Sequence, residues 1–105
     1  MSDFKHISVQ EVADNLSAYT VVDIRDPQSF ATGHMQNAQH LHNHNFAKFI
    51  STTPKQQPVV VVCYHGISSQ QAAQMIAGQG FAEVYSMDGG FEAWRASQSS
   101  VTPTS

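Results

Sequence analysis

Cys63 is the residue of this 105-residue chain whose surroundings suit covalent chemistry. It follows the run Val59-Val60-Val61-Val62 and opens the segment Cys63-Tyr64-His65-Gly66-Ile67-Ser68-Ser69, after which a helical pattern begins. A loop passing from a strand end into a helix N-terminus turns several backbone N–H groups toward its centre, and that arrangement cradles anions. Gly66 gives the loop a conformation that other residues resist. A thiol held there has its thiolate favoured, so its pKa is expected below the free value of about 8.5. The thiolate is the nucleophilic form. Without such a context, a lone cysteine in an intracellular protein is ordinary packing. With one cysteine the chain has no intramolecular disulfide and no four-cysteine metal site.

Other polar residues receive plainer readings. Asp23 and Arg25 follow a buried strand and suit a charge-assisted hydrogen bond that fixes local structure. His34, just after Gly33, suits a hydrogen-bonding anchor. His40, His42 and His44 alternate, and a strand would place all three on one face, where imidazoles can ligate zinc or nickel. No carboxylate or cysteine lies close to them in sequence, so no metal site is assigned. The His65 side chain either modulates the thiolate or points outward. Phe91 and Trp94 are expected in the core.

The elements that must position the cysteine follow from patterning. Ser8-Val9-Gln10-Glu11 has the form of a capping box, and Val9, Val12, Ala13 and Leu16 trace one apolar helical stripe. Val21 to Ile24 reads as a short buried strand. Asp26-Pro27 suits a helix start, and the short helix should end at Gly33, a residue tolerant of the left-handed conformation. A brief strand is expected over 38–41, and a helix around Phe46 to Ile50. Val59 to Val62 is apolar on both faces, as in the central strand of a parallel sheet. Ser68 to Gln79 reads as a helix with Ala72, Ala73 and Ile76 inward, closed by Gly78 or Gly80. Val84 to Met87 is a strand, and Gly89-Gly90 turns into a last helix. Alternating strands and helices imply an α/β fold with a central, mostly parallel sheet flanked by helices on both faces. Ligands of such sheets bind outside the carboxyl ends of the strands, where Cys63 stands.

Composition narrows the function further. The length fits one domain, expected over 1–96, with a Ser/Thr/Pro-rich mobile tail over 97–105. Five Lys+Arg against eight Asp+Glu, net charge -3, is not the basic footprint of a nucleic-acid binder. No apolar run approaches the roughly 20 residues that span a bilayer. The polar start Met1-Ser2-Asp3-Phe4-Lys5 lacks the apolar core of a signal peptide, which points to the cytoplasm.

Three segments resemble the signatures of the rhodanese family, in family order. They are Asp23-Ile24-Arg25-Asp26 with Phe30 and Gly33-His34, the loop Cys63 to Ser69, and Asp88-Gly89-Gly90-Phe91-Glu92-Ala93-Trp94. The resemblance implies a single rhodanese-like domain and sulfur transfer by a ping-pong route, with no cofactor. Carried onto this chain, Cys63 attacks the sulfane sulfur of thiosulfate and holds it as a persulfide. Cyanide, or a cellular thiol or thioredoxin-like dithiol, then accepts that sulfur. The backbone amides of Tyr64, His65, Gly66, Ile67 and Ser68 would bind the anion, with the Ser68 and Ser69 hydroxyls as further donors. Many rhodaneses carry cations in this loop, and this loop has none, so weak saturation by thiosulfate is expected.

Two rival readings remain. A cysteine-loop phosphatase or arsenate reductase grips its oxyanion with an Arg closing a Cys-x5-Arg loop. Here that position is Ser69, and no Arg or Lys lies between Lys55 and Arg95. A non-catalytic binding module with the same fold is the other rival, although inactive relatives often lack the cysteine. The mercaptopyruvate branch is disfavoured because its Cys-Gly-Ser/Thr-Gly loop is absent.

Overall fold

A run of four valines dictates the centre of this molecule. In the computed structural model, which describes residues 3–98, Val59 to Val62 are wholly buried. Successive strand residues face opposite sides, so Val59 and Val61 enter one apolar cluster while Val60 and Val62 enter another. A strand buried on both faces needs a layer on each side, and the rest of the chain supplies them.

The elements in chain order are β1 (Lys5–Ile7), α1 (Val9–Asp14), β2 (Thr20–Asp23), α2 (Pro27–Thr32) and β3 (Gln39–His40), followed by α3 (Phe46–Thr52), β4 (Val59–Val62), α4 (Ser68–Ala77), β5 (Val84–Met87) and α5 (Gly90–Ser97). The sheet order is β1-β5-β4-β2-β3, and every pairing is parallel. Phe49 of α3 and Ala73, Ile76 and Ala77 of α4 cover one face. Val12 of α1 and Phe91 and Trp94 of α5 cover the other. This is the α/β architecture that the alternating pattern implies.

Local chemistry explains most boundaries. The capping box forms: the Ser8 hydroxyl accepts from the Glu11 amide at 3.1 Å, and the Glu11 carboxylate accepts from the Ser8 amide at 3.4 Å. Asp26 caps α2 through the Ser29 amide, with Pro27 in the first turn. Leu16 belongs to a separate 3-10 turn, Leu16–Ala18, yet still packs on the cluster beneath α1.

Several expectations are corrected. Gly33 ends α2 in an extended conformation, φ 171°, not a left-handed one. That geometry accompanies a 2.7 Å hydrogen bond from Arg25 Nη2 to the Gly33 carbonyl. The helix expected over 68–79 stops at Ala77, and Gly80 takes the positive φ that turns the chain. β1 was not anticipated, because only Ile7 of its three residues is buried. β3 ends at His40, so His42 and His44 do not share its face. Ser97 closes α5 instead of opening a tail, and the remainder of that expected tail, 99–105, lies outside the described residues. No helix among the described residues is long and apolar enough to cross a membrane.

Candidate active site

Cys63 leaves the carboxyl end of β4, and the loop climbs over it into α4. The residue is 3% exposed. Around it Tyr64, His65, Ile67 and Ser68 form an exposed rim, while Gly66 and Ser69 turn inward. The wall nearest the sulfur is polar. The Gly66 amide donates to Sγ at 3.1 Å and the Ser69 amide at 3.2 Å, and the Ser69 hydroxyl lies 3.3 Å away. Behind it the Ser69 and Ser86 hydroxyls are 2.7 Å apart.

Opposing effects act on the thiol. Burial raises its pKa, since a thiolate loses solvation. Hydrogen bonds from the Ser69 hydroxyl, the Ser69 amide, and the Gly66 and His65 amides lower it. The donors prevail, and the Cys63 pKa lies below its ordinary value. Donors prearranged around an anion need no reorganisation when it forms, which is why the Ser69 hydroxyl and the loop amides together outweigh burial here.

The loop is held from outside by α5. The Phe91 amide donates to the Cys63 carbonyl at 2.8 Å, and the Glu92 amide donates to the Tyr64 carbonyl at 3.1 Å. The opening amides of a helix lack partners within it, and here the loop supplies them. Contact this close excludes a side chain at Gly90: a Cβ there would lie 2.6 Å from the Cys63 carbonyl oxygen and from the His65 nitrogen. Gly66, φ +83°, is hemmed in the same way: a Cβ there would lie 2.8 Å from the Gly89 nitrogen. The paired glycines before Phe91 are thus part of the site.

A second brace comes from β2 and α2. Asp23 and Arg25 form a buried ion pair, with Arg25 Nη2 and Nε donating to Asp23 Oδ2 at 2.7 and 3.0 Å. The guanidinium also lies over the Phe91 ring, 4.0 Å from its centroid. The Ser29 hydroxyl donates to Asp26 at 2.8 Å and accepts from the Tyr64 hydroxyl at 3.1 Å. His34 hydrogen-bonds the Phe30 carbonyl through Nδ1 at 2.9 Å and stacks on that ring. Asp23, Arg25 and His34 are therefore structural, as their sequence positions suggest.

Of the five loop residues singled out from sequence, Gly66 donates to the sulfur directly, and the His65 amide acts in the same direction. The Tyr64, Ile67 and Ser68 amides make no hydrogen bond to Sγ. Ser69, ranked there as an auxiliary donor, supplies two contacts. Ser86 is legible from sequence only as part of a strand, not as a residue of the site. The signal it offers is a serine among Val84, Tyr85 and Met87 in an otherwise apolar strand. His40 spends Nε2 on the Arg25 carbonyl, and His42 spends Nδ1 on the His44 amide. Among the described residues no group of three His, Cys, Asp or Glu could hold a metal ion. An apolar cleft of about 480 Å3, bordered by Ile24, Leu41, Phe46, Ala72 and Met75, does not include Cys63.

The fold and the site together define a parallel α/β domain that holds a thiol of lowered pKa at the carboxyl end of its central strand. Comparison narrows the class. The rhodanese-like domain family matches residues 8–97. The chain is 55% identical over 103 residues to thiosulfate sulfurtransferase GlpE of Ectopseudomonas mendocina, covering 97% of this chain and 94% of that one. It is 54% identical over 96 residues to the protein of the same name from Shewanella oneidensis, covering 90% and 95%. Among solved structures it resembles a rhodanese-related protein of Thermoplasma volcanium, with TM-score 0.81, 23% identity and coverage of 93% and 98%. It also resembles the rhodanese-like domain of the Anabaena Alr3790 protein, with TM-score 0.83, 21% identity and coverage of 92% and 78%. The chain belongs to the rhodanese family.

Proposed function

We propose that this protein is a thiosulfate sulfurtransferase working through a persulfide on Cys63. The observation that carries the reading is the set of donors on Sγ from Gly66 and Ser69, which favours an anionic sulfur beneath an exposed rim. The names of relatives at 54% and 55% identity support the substrate.

In the first half-reaction the Cys63 thiolate attacks the sulfane sulfur of thiosulfate. The new Sγ–S bond forms as the S–S bond of thiosulfate breaks, and sulfite leaves with the electron pair. The charge of one thiolate and one dianion reappears as one persulfide and one sulfite, so no oxidant, reductant or proton is required. In the second half-reaction cyanide, or the thiolate of a thiol or dithiol acceptor, attacks the outer sulfur, and the Cys63 thiolate is the leaving group. The amides of the loop from Tyr64 to Ser68 stabilise the outer sulfur and the departing anions. Sulfite is a stable leaving group, so no side chain need act as a general acid. A reducing compartment such as the cytoplasm keeps the single thiol free for this cycle.

Position 69 also weighs against phosphoryl chemistry. A phosphatase of this class places a guanidinium there, whereas Ser69 is buried and bonded to Ser86. Intact mass after incubation with thiosulfate tests the proposal. Uptake of one sulfur, released as thiocyanate by cyanide and absent in Cys63→Ser, is expected. An unchanged mass with no sulfite formed would leave the chain a binding module.

A further inference from the structure

We propose that Ser86 is a positioning residue of the sulfur site: from β5 its hydroxyl holds the Ser69 O–H bond toward Cys63. The inference rests on the reading of Cys63 as nucleophile and adds a residue that does not touch the sulfur. Ser86 is completely buried in β5, in register with Val61 of β4, two residues before the cysteine. A hydroxyl at such a place is costly unless paired, and an alanine or valine would fill an apolar strand as well. Its partner is Ser69, also completely buried, at 2.7 Å.

Proton counting gives the pair a direction. A hydroxyl has one proton and two acceptor sites. An anionic sulfur has no proton, so across the 3.3 Å contact Ser69 must donate and Sγ must accept. The Ser69 oxygen is then left to accept, and the proton between the two serines must come from Ser86. Deprotonation of Cys63 therefore orients both hydroxyls the same way, Ser86 to Ser69 to sulfur. In the neutral thiol the S–H can donate to Ser69, and the direction of the pair is no longer fixed. Without Ser86, the Ser69 hydroxyl, standing in the first turn of α4, can rotate toward backbone carbonyls of its own loop. A donor already polarised by a second hydroxyl also binds an anion more strongly.

The test is the thiol pKa, measured from the pH dependence of thiolate absorbance and of alkylation rate. Ser69→Ala is expected to raise it by roughly one unit and Ser86→Ala by roughly half a unit. The double variant should match Ser69→Ala alone, because Ser86 acts only through Ser69. Ser86→Thr and Ser86→Val are nearly equal in shape and separate the hydroxyl from packing: Thr should titrate like the wild type and Val like Ala. Additive shifts in the double variant, or equal titration of the Thr and Val variants, would overturn the proposal. The titration needs no sulfur donor. Failure of the wild type to take up sulfur therefore defeats the sulfurtransferase reading and leaves the hydroxyl relay to be judged on its own.

Discussion

The amide nitrogen of Phe91 lies 2.8 Å from the carbonyl oxygen of Cys63, so α5 grips the first residue of the cysteine loop. The contact joins residues distant in sequence and leaves no room between α5 and the loop. Gly90, φ +61°, is the residue that permits it.

Gly90→Ala should therefore damage the site more than the fold's periphery. A Cβ there meets the loop backbone at 2.6 Å, and the left-handed conformation strains any side chain. A loss of about 1–3 kcal/mol of stability is expected from the strain, with a larger fractional loss of sulfur transfer as the loop shifts. Urea denaturation alongside thiocyanate formation measures both. An alanine variant of wild-type activity and stability would mean that the approach of α5 is not tight.

The depressed Cys63 pKa sets a pH dependence. Below the folded-state pKa the thiol is protonated and transfer slows; above it the rate reaches a plateau before the pH at which a free thiol ionises. The folded value is the lower one, so ionisation of Cys63 adds stability that is complete above the unfolded pKa and disappears as pH falls through the folded pKa. In Ser69→Ala the rise in rate should move to higher pH by roughly one unit. A profile identical to that of the wild type would refute the role of the Ser69 hydroxyl.

Asp23→Ala removes the carboxylate from a buried guanidinium. Both side chains are almost fully covered, and an unpaired buried charge costs about 3–5 kcal/mol. Chemical denaturation should register a loss of that order, with sulfur transfer reduced because Arg25 also lies over Phe91. A change within about 0.5 kcal/mol, the size of an ordinary surface substitution, would contradict the ion pair.

Thiosulfate is expected to saturate the protein weakly, at millimolar concentrations, since no cationic side chain belongs to the loop. Introducing one at the exposed rim by His65→Arg should lower the half-saturating concentration roughly two- to fivefold, the range of a solvent-screened ion pair. The gain should vanish at high salt. Micromolar saturation of the wild type would show that the amides alone hold the dianion.

Much of this arrangement can be read from residues in order, because the forces concerned are local. Four consecutive valines satisfy a strand with two apolar faces and little else. Ser8 with Glu11, and Asp26 with Pro27, mark helix starts through hydrogen bonds spanning three residues. The cysteine at the end of β4 is legible for the same reason, since strand, loop and helix follow one another directly. β1 is not, because Lys5-His6-Ile7 carries one buried residue, and an edge strand exists only by pairing with β5.

What the order of residues determined on its own was the alternation of elements and the place of the nucleophile candidate. Those depend on periodicity and on neighbours a few positions away. Tertiary structure decided which donors reach the sulfur, that Gly33 is extended beside Arg25, and that Ser86 stands behind Ser69. Each of these depends on hydrogen bonds between segments brought together only when the sheet assembles. Direction matters in such bonds as much as residue type, and direction is a property of the packed backbone.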